Sequence, residues 1–303
     1  MTDKTLHISV LQQEALEALA IKDSSIIVDA TLGSSGHAKE IVAKLGKKGT
    51  FIGIDADTLA IEKGKKELHN ARCTTQLCVG NFRNIDETLR SLKIETVNGI
   101  LADLGWRMDQ FGGNGKGFSF QHDEELLMTF GDPETYPFVA KDILNEWKEE
   151  DIKNVLRGYG EEKFSGRIAR HIVEQREIQP ITRTAELVSI IENAVPAFYR
   201  RGKIHPATRT FQALRIAVND EFDALETFIR KSVALLAPRG RFVIITFHST
   251  EDRIVKHSFK NLVENQVGSL VTKKPIAPTR EEVLRNPRSR SAKMRIFQKH
   301  ETE

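Results

Sequence analysis

The sequence predicts an α/β protein, a parallel sheet of alternating strands and helices interrupted by an inserted all-helical domain. Three observations carry this reading. Short apolar runs alternate with amphipathic stretches through the first third of the chain. Strand-like runs then vanish between residues 111 and 204, and the alternation resumes with a strong apolar run at 241–247. The bulk composition agrees: 303 residues, 40% hydrophobic and 29% charged, describe a globular chain with a full core rather than a disordered one.

The elements follow in order. Residues 8–20 read as a helix leading into the first strand. Strands are expected at 26–29, 51–54, 76–79 and 97–103, with helices near 38–44, 59–68 and 85–92 between them. Such alternation makes right-handed βαβ units. After Asp103 comes the glycine-rich Phe111-Gly112-Gly113-Asn114-Gly115-Lys116-Gly117-Phe118, then helical segments at 140–146, 150–156, 163–175 and 185–194. One long amphipathic helix is expected over 208–236, followed by the strand 241–247 and a helix at 251–263. The expected organisation is a discontinuous α/β domain, 1–110 and 205–303, with 111–204 inserted.

No apolar run approaches the roughly 18 residues of a membrane span. The start, Met1-Thr2-Asp3-Lys4-Thr5, lacks the apolar stretch of a signal peptide, which points to the cytoplasm. The two cysteines, Cys73 and Cys78, sit in one expected strand and read as core or strand residues, with no metal-ligand set around them.

In an open parallel sheet, ligands bind outside the carboxyl ends of the strands. The run Ile26-Ile27-Val28-Asp29 breaks there into Ala30-Thr31-Leu32-Gly33-Ser34-Ser35-Gly36-His37, and the next apolar run ends on Asp55. Gly33 and Asp55 are 22 residues apart. A glycine turn before a helix, with an acid about 20 residues on, is the skeleton of a nucleotide-type cofactor site. The same elements also fit a plain tight turn with a solvated acid. Phe82 follows the third strand, where its ring could flank a purine. Asp103 closes Gly99-Ile100-Leu101-Ala102, where a carboxylate is costly unless it meets solvent or a ligand; otherwise it is a turn or capping residue.

Net charge is only +3, so distribution matters more than total. Six Lys/Arg against two Glu lie between 280 and 295, and a second basic group runs through Arg200, Arg201, Lys203, His205 and Arg209. Both patches suit phosphate contact, with a solvated charged surface as the plainer alternative.

These strand ends, together with further motifs, resemble one family closely. His7-Ile8-Ser9-Val10-Leu11, Val28-Asp29-Ala30-Thr31-Leu32-Gly33 and Gly36-His37 look like its start. Gly117-Phe118-Ser119-Phe120, Tyr159-Gly160-Glu161-Glu162 and His205-Pro206-Ala207-Thr208-Arg209-Thr210-Phe211-Gln212-Ala213-Leu214-Arg215-Ile216 continue it. Phe247-His248-Ser249, Glu251-Asp252-Arg253 and Asn286-Pro287-Arg288-Ser289-Arg290-Ser291-Ala292 complete it, all in family order. The resemblance is to the MraW/RsmH family, S-adenosylmethionine-dependent N4-cytosine methyltransferases of small-subunit ribosomal RNA.

The resemblance implies a class I (Rossmann-like) methyltransferase sheet with an inserted helical substrate-recognition domain. Ser35, Gly36, His37, Asp55, Phe82, Asp103 and Gln110 would bind S-adenosylmethionine, Asp55 holding the ribose hydroxyls. The product would be N4-methylcytidine at the decoding site of 16S rRNA, with the small ribosomal subunit as partner, no membrane, and homodimer formation left open. The chain departs from the family at Leu104-Gly105-Trp106-Arg107-Met108, where Leu-Gly-Val-Ser-Ser is usual, and at Ser35, where a second glycine is usual. Leu127 and Thr129 stand at usually acidic and arginine positions.

The amine N4 of cytosine is a weak nucleophile, so transfer needs in-line alignment and an acceptor for its hydrogens. Asp103 is the expected acceptor. Trp106 is a candidate stacking platform for the extruded base, or a local core residue, and His248, ending a strong strand, is a third catalytic candidate. Arg107, His205, Arg209, Arg288 and Arg290 are expected to contact RNA. A competing reading is an RNA-binding ribosome-assembly factor that keeps the fold and cofactor pocket but has altered catalysis. A nicotinamide dehydrogenase accounts for the first loop and Asp55 but for neither Asp103-Leu104-Gly105 nor the basic C-terminal motif.

Overall fold

The computed structural model describes residues 9–104 and 115–301. They form two compact units, one of Met1–Trp106 with Phe222–Glu303 and one of Arg107–Glu221. The first unit opens with α1 (Gln12–Leu19), β1 (Ile26–Asp29), α2 (Gly36–Lys44), β2 (Thr50–Asp55), α3 (Thr58–Glu67), β3 (Thr74–Val79), α4 (Ile85–Ser91) and β4 (Val97–Asp103). The second unit holds α5 (Ala140–Glu146), α6 (Glu149–Gly160), α7 (Ser165–Arg176), α8 (Thr184–Ala194), the short α9 (Ala197–Arg200) and α10 (Thr208–Asn219). The chain then returns to the first unit through α11 (Glu221–Leu235), β5 (Leu236–Thr246), α12 (Ser249–Glu264), β6 (Gly268–Leu270), α13 (Arg280–Arg285) and β7 (Lys293–Lys299).

The seven strands are ordered β3-β2-β1-β4-β5-β7-β6. β1 to β5 run parallel, and β7 is antiparallel to both β5 and β6. Strand side chains alternate between faces, and both faces are covered, which explains why the parallel strands read as unbroken apolar runs. Ile27, Leu101, Val243 and Ile245 join Leu16, Leu19 and Ile41 of α1 and α2 in one cluster. Val28, Ile100, Phe242 and Ile244 join Leu89 of α4, Phe228 of α11 and Phe259 of α12 in the other. Cys73 is buried, Cys78 is partly buried, and both are free thiols.

In the second unit, α6 and α10 approach so closely that a Cβ on Gly160 would lie 2.4 Å from the Arg209 carbonyl oxygen. The family-like motifs serve this packing. Gly117 has φ 72 and donates its N–H to Glu124 at 2.9 Å, while Phe118 stacks on Phe130. Phe120 stacks on His205 and sets its edge against Phe211.

Two features differ from the sequence expectation. The long helix expected over 208–236 is two helices, broken at Asp220, whose φ of 48 is left-handed. Asp tolerates that conformation better than most residues, so the break leaves no mark on the hydrophobic period. As a result α10 belongs to the second unit, and the boundary falls at Glu221/Phe222 rather than at 204/205. The strands β6 and β7 were also not expected. β7 alternates charged and apolar residues inside a basic segment, and β6 has only three residues. Lys293 and Arg295, counted with the basic patch, pair with Asp252 at 3.0 and 2.7 Å and so fasten α12 to β7. Among the described residues no helix is long and apolar enough to cross a membrane.

Beside the break, the Arg215 guanidinium grips Glu221 with two bonds, Nε to Oε1 at 2.6 Å and Nη2 to Oε2 at 2.8 Å. Both side chains are largely buried, so removing one strands the other's charge. Arg215→Ala is expected to cost about 3 kcal/mol, read as a lowered urea midpoint for the second unit.

Candidate cofactor site

The loop after β1 is threaded between β2 and β4. Ala30 N–H donates to the Leu101 carbonyl at 2.8 Å and Leu32 N–H to that of Ile54 at 2.9 Å. The chain then turns sharply, with φ 52 at Gly33 and φ 63 at Ser35, and enters α2 at Gly36. Gly36 has no room for a side chain, because an added Cβ would lie 2.0 Å from Ser9 Oγ. Gln12 of α1 fixes the same residue by donating to its carbonyl at 3.0 Å. Ser35 precedes α2 without capping it, so its own side chain leaves the N–H groups of the first turn open. Those groups and the helix dipole suit an anionic group such as the carboxylate of an amino-acid moiety.

Three carboxylates converge on this loop. Asp55, at the end of β2, accepts from Gly33 N–H at 2.8 Å through Oδ2 and from Asp57 N–H at 2.9 Å through Oδ1. A carboxylate oxygen can accept more than one hydrogen bond, so accepting from these N–H groups is compatible with also accepting from ribose hydroxyls. Asp103, at the end of β4, donates its backbone N–H to Thr31 Oγ1 at 2.7 Å. Its side-chain Oδ2 lies 3.4 Å from Nε2 of the buried His37. Asp29, at the end of β1, is 1% exposed and accepts from Thr31 N–H at 3.1 Å.

Burial pushes the Asp29 carboxyl up to about 6, even though His37 and the Thr31 N–H favour its charge; Asp103 and Asp55 push it further up. His37 behaves differently. Its burial opposes protonation, but the hydrogen bond and charge of Asp103, with the charges of Asp29 and Glu282, outweigh that and raise its pKa above the ordinary value. Glu282 comes from α13 and also accepts from Leu11 N–H at 2.8 Å, tying the C-terminal segment to the start of α1. Ser35 Oγ and His37 Nδ1 are buried without a hydrogen-bond partner among the described residues, and Nε2 has only the long contact to Asp103. Orphaned buried polar atoms are costly, and a bound ligand would satisfy them.

The other expected residues fall as follows. Phe82 is half-buried just past β3, edge-on to Phe228 with ring centroids 5.0 Å apart. His248 caps α12: Nδ1 accepts from Glu251 N–H at 3.3 Å, and Nε2 lies 2.9 Å from Glu251 Oε1. Both ring nitrogens thus face the first turn of that helix. Arg288 and Arg290 are exposed on a 3-10 turn, on either side of the buried Ser289. Arg209 donates to the Glu161 carbonyl at 3.1 Å, and His205 lies under Phe120. Trp106, Arg107 and Gln110 lie outside the described residues. Asp29 and Glu282 had not been singled out in the sequence. Asp29 carried the signal used for Asp103, an acid closing an apolar strand, whereas Glu282 acts across 271 residues of sequence.

A parallel sheet with an antiparallel β7 between β5 and β6, a glycine-serine loop after β1 and an acid closing β2 define a class I methyltransferase. The description "MraW methylase family" matches residues 4–300, and the chain belongs to that family. It is 42% identical to "Ribosomal RNA small subunit methyltransferase H" of Brevibacillus brevis, over 97% of this chain and 98% of that one. Proteins of the same name from Clostridium botulinum and Clostridioides difficile are 46% and 41% identical, again covering 97% of this chain and 98% of theirs. The cofactor is S-adenosylmethionine, and the residues present fit it. The α2 start suits an anion, the Asp55 carboxylate suits ribose hydroxyls, and the buried acids suit a cationic group. Among the described residues no cluster of three or more metal-ligating side chains occurs.

Asp29 provides a pH test. It titrates near 3.8 in the unfolded chain and near 6 in the fold, so the folded form holds the proton longer. This contribution to stability is complete below the lower value and is lost as pH rises through the upper one. Asp29→Asn should therefore be the more stable protein at neutral pH, by roughly 2–3 kcal/mol, with the gap closing towards about pH 4. Urea titrations of both proteins across that range measure it.

Proposed function

We propose that this methyltransferase modifies the exocyclic N4 of a decoding-site cytidine in 16S rRNA, with the small ribosomal subunit in the cytoplasm as its partner. The name of its relatives supports an rRNA substrate. The observation that carries the chemistry is the Asp103 carboxylate closing β4, 3.4 Å from a buried imidazole whose pKa is raised.

Bound at the β1–α2 loop, S-adenosylmethionine supplies an electrophilic methyl group on a sulfonium. Asp103 accepts a hydrogen bond from the cytosine amine and takes its proton as the new N–C bond forms. His37, buried 3.4 Å from Asp103, is proposed to orient that carboxylate towards the amine. Asp55 orients the ribose, and the N–H groups of the first turn of α2 hold the carboxylate end. Trp106 is proposed as the stacking platform for the extruded base, and Gln110 and Phe82 as further cofactor contacts. Arg107, His205, Arg209, Arg288 and Arg290 are proposed as RNA contacts, with the second unit as the substrate-recognition unit. His248 is proposed to shape the β5 end through its cap on α12 rather than to move a proton itself.

The departure at Trp106-Arg107-Met108 favours the one competing reading, an RNA-binding assembly factor with altered catalysis. Radiolabelled methyl transfer to small-subunit particles separates the two. Asp103→Asn, assayed at saturating cofactor, should lower turnover by about a hundredfold or more; normal turnover would remove Asp103 from this role. Nucleoside mass spectrometry of 16S rRNA from cells lacking the gene should show N4-methylcytidine lost, and its persistence would overturn the assignment.

A further inference from the structure

The second unit carries a surface that the cofactor chemistry leaves unused. Phe198, on α9, is 72% exposed, and Ile204, six residues on, is 56% exposed. Between and beside them Arg200, Arg201 and Lys203 are all exposed, and among the described residues none pairs with a carboxylate. A bare aromatic ring is costly in water, and this one is held in place rather than left to fold back. Glu162, 1% exposed, accepts from Phe164 N–H at 2.8 Å and from the Tyr199 hydroxyl at 2.8 Å. Phe164 in turn sets its ring against both Tyr199 and Phe198, with centroids 4.9 and 6.2 Å away. Gly202 N–H closes the turn onto the Tyr199 carbonyl at 3.1 Å, which presents the cations beside the ring. Glu162 is buried beneath the patch, and Glu192 lies 3.8 Å from His205 Nε2.

We infer that Phe198, with Arg200, Arg201 and Lys203, forms a binding site for unpaired RNA, the ring stacking on a base and the cations meeting the adjoining phosphates. A prefixed aromatic among unpaired cations matches the chemistry of single-stranded nucleic acid, whose bases offer flat apolar faces and whose backbone carries a charge at every residue. An apolar protein partner would have to desolvate three cations without compensation, which disfavours it. The inference rests on the proposed RNA substrate and extends it to a second contact region, distinct from the cofactor loop. The site selects exposed single strand over duplex, because only an unstacked base can reach the ring.

The test uses the full-length protein and an unstructured single-stranded RNA of about twelve nucleotides. Phe198→Trp should show fluorescence quenching on RNA addition beyond that of the native tryptophans. Phe198→Ala should bind this RNA about tenfold more weakly, with an unchanged melting curve. Replacing Arg200, Arg201 and Lys203 by Gln should flatten the dependence of log affinity on log salt by about two. RNA titrations in which the Trp variant gives no added quenching and the Ala variant keeps wild-type affinity would overturn the site. Methyl transfer to small-subunit particles, run alongside, keeps the two proposals apart. Wild-type transfer with no Phe198 effect sinks this inference alone, whereas RNA stacking without any transfer sinks the methyltransferase assignment alone.

Discussion

The carboxyl edge of the sheet has a charge problem, and the first unit is organised around its solution. Three parallel strands end side by side on Asp29, Asp55 and Asp103, and Asp29 is almost fully buried. Carboxylates gathered at one edge repel and resist ionisation unless cations or oriented N–H groups compensate them. Here the compensation is local: Gly33 and Asp57 N–H groups serve Asp55, Thr31 N–H serves Asp29, and the His37 imidazole stands against Asp103. The β1–α2 loop is therefore more than a connection. Its backbone conformation is set by the need to aim donors at acids, and its left-handed residues follow from that need.

The same arrangement explains why the site is poised for a cationic, nucleotide-like ligand. A carboxylate that has consumed all its neighbours offers nothing to a cofactor. Among the described residues, Ser35 Oγ and His37 Nδ1 are buried polar atoms without a partner. Ser35 is the most strained member, a non-glycine residue at φ 63 with a buried hydroxyl that finds no partner. Left-handed backbone at an L-residue costs about 1–2 kcal/mol, a burden that a ligand contact to the hydroxyl would offset.

The parallel strands and the loop were legible because both rest on local physics: apolar runs buried on two faces, and glycines where the chain turns tightly. Asp55 and Asp103 were legible for the same reason, as acids closing apolar runs. What escaped the sequence was long-range or conformationally subtle. The break at Asp220 depends on one φ angle within an unbroken amphipathic period. β7 hid because Lys293 and Arg295 look like RNA-facing cations until Asp252 is seen between them. The capping role of His248 on the adjoining helix was not legible either, because it depends on where that helix starts. Motifs that carried the family resemblance in the second unit serve its packing, as Gly160 and Phe120 do.

The position of β7 has a consequence for how the molecule is made. β7 lies between β5 and β6, so the sheet cannot be completed until Lys299 has left the ribosome. The bond from Leu11 to Glu282 adds the same delay, since the first helix waits for a partner near the other end. The second unit is contiguous in sequence and can condense while translation continues, whereas the sheet must bridge that folded insert with contacts of very large separation. During synthesis the half-made sheet exposes the β4 edge where β5 will dock. The period of greatest vulnerability to misassembly thus falls between emergence of β4 and emergence of β7.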